Sequence, residues 1–148
     1  MPRLDLTISH EALSADAKRT LPAELSACML RWEGAADTPF SRSIAWTHVH
    51  EMAEGAAHDA NGPTDAPHII LDVTIPVGAL SERRRAELIR EATELISKAA
   101  GLDATNGNQI WILVHEVPEG FWGAAGQVVR YAELGDQVRR EAPPAGAS

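Results

Sequence analysis

The 148-residue sequence predicts a two-layer α+β fold, in which duplicated β-α-β units build one four-stranded mixed sheet with two helices on one face. The first observation behind this is an internal repeat. Leu4-Asp5-Leu6-Thr7-Ile8 followed by Ala12-Leu13-Ser14 returns as Leu71-Asp72-Val73-Thr74-Ile75 followed by Ala79-Leu80-Ser81, at an offset of 67 (Leu4 to Leu71). Further on, the segment from Trp46 through His50-Glu51 to Glu54-Gly55 returns from Trp111 through His115-Glu116 to Glu119-Gly120, at an offset of 65 (Trp46 to Trp111). Two matches in the same order, with a small gap between their offsets, indicate duplication. The second observation is periodicity, which alternates in steps of two in the first segment of each copy and follows helical spacing in the next. The third is that a strand-helix-strand unit makes a right-handed parallel crossover, so two units give four strands and two helices.

The elements follow in order. Leu4, Leu6 and Ile8 share one face of a first strand, and Ile69, Leu71, Val73 and Ile75 share one face of its counterpart. Ser14 and Ser81 are placed as N-caps. Leu88, Ala92, Leu95, Ile96 and Ala99 then mark the apolar stripe of the second helix, and Gly101 supplies its stop. In the first helix Leu21, Leu25, Met29 and Trp32 keep the spacing, but Pro22 removes a backbone donor, so a kink or restart is expected there. Loops at 35–42 and 102–109 lead to second strands that end in His-Glu. The chain thus reads as one domain over 1–135, with units at 2–55 and 69–134, a linker at 56–68 and a mobile tail at 136–148. One sheet face is left without helices, and alternate residues such as Trp46 or Trp111 lie on it.

Composition narrows the function classes. Thirteen Lys+Arg against twenty-one Asp+Glu give a net charge of −8, which repels phosphate backbones and anionic lipid surfaces, so neither nucleic acid nor membrane is an expected partner. Cys28 is the only cysteine, which excludes an internal disulfide framework. No apolar run approaches the roughly 18 residues of a membrane span, and Arg3 and Asp5 interrupt any secretory apolar region. The Ala-rich, Lys-poor usage points to a cytoplasm of bacterial type.

A strand starting directly at Pro2, followed by helix, second strand and hairpin, all duplicated, resembles the tautomerase superfamily over most of residues 2–134. The most specific stretch is Glu116-Val117-Pro118-Glu119-Gly120-Phe121-Trp122-Gly123-Ala124-Ala125-Gly126, which is similar to the hairpin segment of 4-oxalocrotonate tautomerase. The duplicated length is similar to the fused members, including cis-3-chloroacrylic acid dehalogenase and malonate semialdehyde decarboxylase. The resemblance implies a catalytic Pro2 that becomes the first residue once Met1 is removed. Its secondary amine would act as general base when neutral and as general acid when protonated. An α-amino group starts near 7.7–8.0, and burial or nearby cations push it toward neutrality, where a proton shuttle is most useful. Only the first copy has a chain end, so one such site per chain is expected.

The resemblance departs from the family at its anion-binding arginines. Family arginines after the first turn and on the second strand align with Ala12, Ala79, Trp46 and Trp111. The dehalogenase histidine aligns with Met29, its arginine pair with Pro76 and Ala79, and its hairpin glutamate nearer Ala124 than Glu119. The aromatic residues Trp122, Phe121 and Trp111 are expected to shape the pocket. Arg3, Arg42 or Arg130 is expected to meet a substrate carboxylate, with Arg3 and Arg130 the leading candidates. His48 and His50 share a strand face, but no second ligand pair of matching spacing accompanies them, so no metal site and no cofactor is expected. His50 and His115, recurring with Glu51 and Glu116, read as structural, and Arg83-Arg84-Arg85 as a solvated face.

The expected function is an isomerase, a tautomerase moving a proton between enol and keto forms of a small 2-oxo or unsaturated carboxylic acid. The alternatives are a proline-dependent hydratase, dehalogenase or decarboxylase of an unsaturated acid, and a non-catalytic oligomer that has lost its substrate arginines. A homotrimer of fused chains is expected, because the open sheet face with its tryptophans needs cover.

Overall fold

The alternating segment at the start of the chain forms β1 (Arg3–Ile8), and its counterpart forms β5 (Ile69–Pro76). Their inward residues Leu4, Leu6, Ile8, Leu71, Val73 and Ile75 are each at most 1% exposed, so the period-2 pattern maps directly onto one buried face. Ser14 accepts a hydrogen bond from Ala17 N and opens α1 (Ala15–Glu33). Ser81 accepts from Arg84 N and opens α3 (Glu82–Ala100), which Gly101 ends in the left-handed conformation at φ 63°. Second strands follow as β2 (Trp46–Glu51) and β6 (Ile110–Val117). This computed structural model describes residues 1–103 and 108–141; part of the expected 102–109 loop and residues 142–148 of the expected tail lie outside the described residues.

The sheet order is β2-β1-β5-β6. Each copy contributes one parallel pair, and the copies meet along the antiparallel β1–β5 seam, where Asp5 lies opposite Asp72 and Leu6 opposite Leu71. Equivalent residues facing each other place a pseudo-twofold axis at the Asp5–Asp72 pair. Helices α1 and α3 pack on each other and on the apolar face, joining Leu21, Leu25, Met29, Leu88, Ala92 and Ile96 to the strand residues in one core. Each large aliphatic side chain so buried contributes about 1.5–3 kcal/mol. The four-stranded mixed sheet with two helices packed on one face matches the sequence expectation in architecture and layering.

Four features differ from the expectation. Helix α1 runs unbroken through Pro22, with no restart. Leu21, Leu25, Cys28 and Met29 on either side of the proline are buried together, and this packing outweighs the roughly 3 kcal/mol that an interior proline costs. The 35–42 loop contains a short helix, α2 (Pro39–Ser43), capped by Thr38. The 56–68 linker contains a small hairpin of β3 (His58–Asp59) and β4 (Gly62–Pro63). After the expected hairpin, which forms as β7 (Gly123–Ala124) and β8 (Gln127–Val128), comes an unexpected helix, α4 (Tyr131–Glu141), which runs across the expected boundary at 136 and buries Leu134.

Candidate active site

Pro2 stands immediately before β1, fully enclosed, with its carbonyl accepting from Trp46 N at 3.1 Å. It contributes to a cavity of about 560 Å³ whose walls include Arg3, Trp46, Thr74, Phe121 and Trp122. The hairpin β7–β8 supplies much of that wall. Its two central residues, Ala125 and Gly126, both have positive φ, 51° and 75°, as a tight hairpin of this twist requires. Glycine takes that conformation without cost, but Ala125 does not, so the turn beside the cavity is locally strained. Val129 N donates to Trp122 O at 2.8 Å and ties the hairpin exit back to its entry.

Met1 precedes Pro2, and its amine lies 3.6 Å from Glu33 Oε1. Glu33 is the last residue of α1, its side chain is 6% exposed, and Oε2 has no hydrogen-bond partner among the described residues. Burial pushes the terminal amine below its ordinary 8.0, while the Glu33 charge opposes that fall. Burial likewise pushes the Glu33 carboxyl above its ordinary 4.5, against the pull of the amine. A buried amine and a buried carboxyl therefore face each other at the chain terminus, each held toward its neutral form. Met1 also lines two further cavities, one shared with Glu33 and Tyr131, the other with Pro76 and Tyr131, so the side chain ahead of Pro2 occupies the meeting point of three hollows.

The expected site residues divide. Pro2, Arg3, Phe121 and Trp122 come together around the cavity. Arg3 is held by its Nε, 2.8 Å from Asp5 Oδ2, and its side chain remains half exposed. Trp111 does not join them within the chain. It lies at the opposite end of β6 from Val117, which touches the cavity, and its indole donates to Asn108 O at 3.1 Å. Six residue steps of extended strand lead from Trp111 to Val117, roughly 20 Å at strand rise. Arg130 also stays out of the cavity lining, 4.0 Å from Glu119 on the hairpin, and Arg42 is bound to Asp37 at 2.6 and 2.7 Å. Arg84 donates to Glu33 O and Arg85 lies 3.6 Å from Glu116, so two members of the arginine run are tied locally.

Two residues of this site escaped the sequence reading. Trp46 lines the cavity where Trp111 was expected, and the signal was present: it is the first-copy counterpart of Trp111, and β2 lies parallel to β1 with Arg3 opposite Trp46. Glu33 carried no signal, because its spacing is that of any polar residue closing a helix. The histidines form repeated pairs on the open sheet face. His50 Nε2 lies 2.9 Å from Asp5 Oδ1, and His115 Nε2 lies 2.7 Å from Asp72 Oδ1. These pairs relieve the repulsion between two carboxylates placed directly opposite across the seam.

Comparison with known proteins agrees with this architecture. Residues 67–132 match the family described as Tautomerase enzyme. No curated protein sequence matches the chain. Among solved structures it is similar to Pt0534 inactivated by 2-oxo-3-pentynoate, at 19% identity and a TM-score of 0.73, covering 90% of this chain and 98% of that one. It is similar to the Q0 fused 4-OT symmetric trimer, at 20% identity and a TM-score of 0.71, again covering 90% and 98%. It is also similar to N1, a member of the cis-3-chloroacrylic acid dehalogenase family, at 14% identity and a TM-score of 0.67, covering 93% and 99%. Residues 67–132 thus carry the sequence pattern of the Tautomerase enzyme family, and both units together share the fold of the fused 4-OT structures.

Proposed function

We propose that the protein is a tautomerase in which Pro2, exposed as an amino-terminal secondary amine by removal of Met1, is the general base. The observation that carries this reading is the position of Pro2 on an aromatic-walled cavity of about 560 Å³, with one arginine, Arg3, at its edge. Burial lowers the pKa of the Met1 amine at this terminus, and Pro2 is itself buried, so the same desolvation would favour the neutral, proton-accepting form of a proline amine. The neutral nitrogen takes the proton of a 2-enol hydroxyl, and the resulting ammonium returns it to the adjacent carbon, giving the 2-oxo acid. The terminal N–H groups of Arg3, whose Nε is turned to Asp5, meet the substrate carboxylate. Trp46, Phe121 and Trp122 supply an apolar wall suited to a small, partly apolar or aromatic acid.

A second reading rests on Glu33. A carboxylate beside the terminus opposes the lowering of the amine pKa by burial and so works toward a protonated proline, the form needed to drive hydration, dehalogenation or decarboxylation of an unsaturated acid. Alanine at positions 12 and 79 supports a third, non-catalytic reading. The assembly proposed is a homotrimer, supported by the trimers among structures of the same fold and by an open sheet face on which Trp46 and Trp111 are 60% and 62% exposed.

The test is ketonisation of phenylenolpyruvate by protein whose mass shows Pro2 as first residue, wild type beside Pro2→Ala. Loss of about a hundredfold or more in rate on substitution supports the base reading. A rate indifferent to Pro2 overturns it. A rate that rises toward low pH, with activity on unsaturated acids, favours the protonated-proline alternative.

A further inference from the structure

We propose that Asp5, His48 and His50 form a binding site for a first-row divalent metal ion of the zinc type, on the open sheet face, with Arg3 standing between it and the proline cavity. The three residues converge because β1 and β2 are parallel neighbours with Asp5 opposite His48 in register, and His50 is the next residue of β2 on the same face. His50 Nε2 lies 2.9 Å and His48 Nδ1 3.4 Å from the same carboxylate oxygen, Asp5 Oδ1, and one ligating atom from each residue falls within 4.8 Å of the other two. Ligands about 2.1 Å from a tetrahedral zinc ion lie roughly 3.4 Å from one another, so the two edges that meet at Asp5 Oδ1 stand close to the required length before any ion binds.

The chemistry of the donor set is selective. Two imidazoles and one carboxylate suit zinc and its neighbours rather than calcium or magnesium, which prefer all-oxygen shells, and three protein ligands leave a fourth position open. The second carboxylate oxygen, Oδ2, is screened from solvent and faces the Arg3 guanidinium at 2.8 Å, which fixes the carboxylate orientation as an outer partner of a metal ligand does. The guanidinium charge also opposes a cation nearby, so the site binds more weakly than an all-anionic one.

The duplication supplies an internal control. Across the pseudo-twofold axis Asp72 and His115 repeat the Asp5–His50 pair at 2.7 Å, but Leu113 occupies the register position of His48 and Ile70 that of Arg3. A histidine-aspartate pair alone therefore satisfies the seam in the second copy. His48 and Arg3 are additions found in the first copy only, and together they convert a pair into three donors with an oriented carboxylate.

Calorimetric titration of the metal-free, full-length protein with zinc chloride tests this. The wild type should take up one ion per chain saturably, and His48→Leu, which rebuilds the arrangement of the second copy, should bind at least about tenfold more weakly. His50→Gln should weaken binding as much, while His115→Leu leaves it unchanged. Thermal unfolding keeps the result interpretable: zinc should raise the midpoint of the wild type but not of His48→Leu, whose metal-free midpoint should match the wild type. No saturable binding, binding unaffected by His48→Leu and His50→Gln, or binding lost with His115→Leu instead, would each overturn the proposal.

Discussion

Replacing Glu33 by Gln should lower the pKa of the terminal amine. In the chain retaining Met1 the two charges are 3.6 Å apart, with side-chain exposures of 16% and 6%. At an effective dielectric constant of about 20, charges this close attract by at most roughly 4–5 kcal/mol. Glutamine keeps the volume and most of the burial but removes the negative charge. The desolvation that already depresses the amine then acts unopposed, and the amine should titrate lower still. The assay is an NMR pH titration of a chain labelled at its first residue, wild type beside Glu33→Gln. If Pro2 is the terminal amine, as proposed above, a negative charge at Glu33 would act on it with the same sign, and the acidic limb of a proline-dependent rate profile should move to lower pH in Glu33→Gln. An unchanged or raised amine pKa would refute the reasoning, since it would mean that Glu33 is neutral where the amine titrates.

Two further outcomes follow from packing and backbone geometry. Ala125→Gly should stabilise the protein by about 0.5–1 kcal/mol, because it removes the left-handed strain at φ 51° against a smaller gain of freedom in the unfolded chain; a rise of roughly 1–4 °C in midpoint checks it, and a fall contradicts it. Cys28 is fully buried, and burial together with the nearby Glu91 charge pushes its thiol up to about 12, so it should resist alkylation by iodoacetamide at pH 8 until the protein is unfolded; rapid labelling of the native protein would contradict this placement.

Much of the fold was legible because it is written in local periodicity. Leu4, Leu6 and Ile8, and their counterparts Leu71, Val73 and Ile75, alternate as a half-buried strand must, and Ser14, Ser81 and Gly101 cap their helices as their chemistry favours. Pro22 misled, since local propensity counts the lost hydrogen bond but not the buried neighbours that hold the helix across it. Within the site Pro2, Phe121 and Trp122 were legible as motif residues. Trp111 was placed by analogy, and strand direction assigns its position to Trp46 instead. Glu33 and Asp5 act through contacts 32 and 45 residues away in sequence (Met1 to Glu33, Asp5 to His50), and no spacing rule reports such pairings.

The central claim is that Pro2 presents a neutral amine inside this cavity, and covalent labelling tests it most directly. Protein of verified amino terminus is treated near neutral pH with 2-oxo-3-pentynoate, the compound that inactivates Pt0534, and the adduct is located by peptide mass. The account predicts one adduct per chain on the Pro2 nitrogen, formed by addition to the conjugated alkyne, with loss of phenylenolpyruvate ketonisation in step. Absence of an adduct at Pro2, or modification elsewhere that abolishes activity while Pro2 stays unmodified, would contradict it.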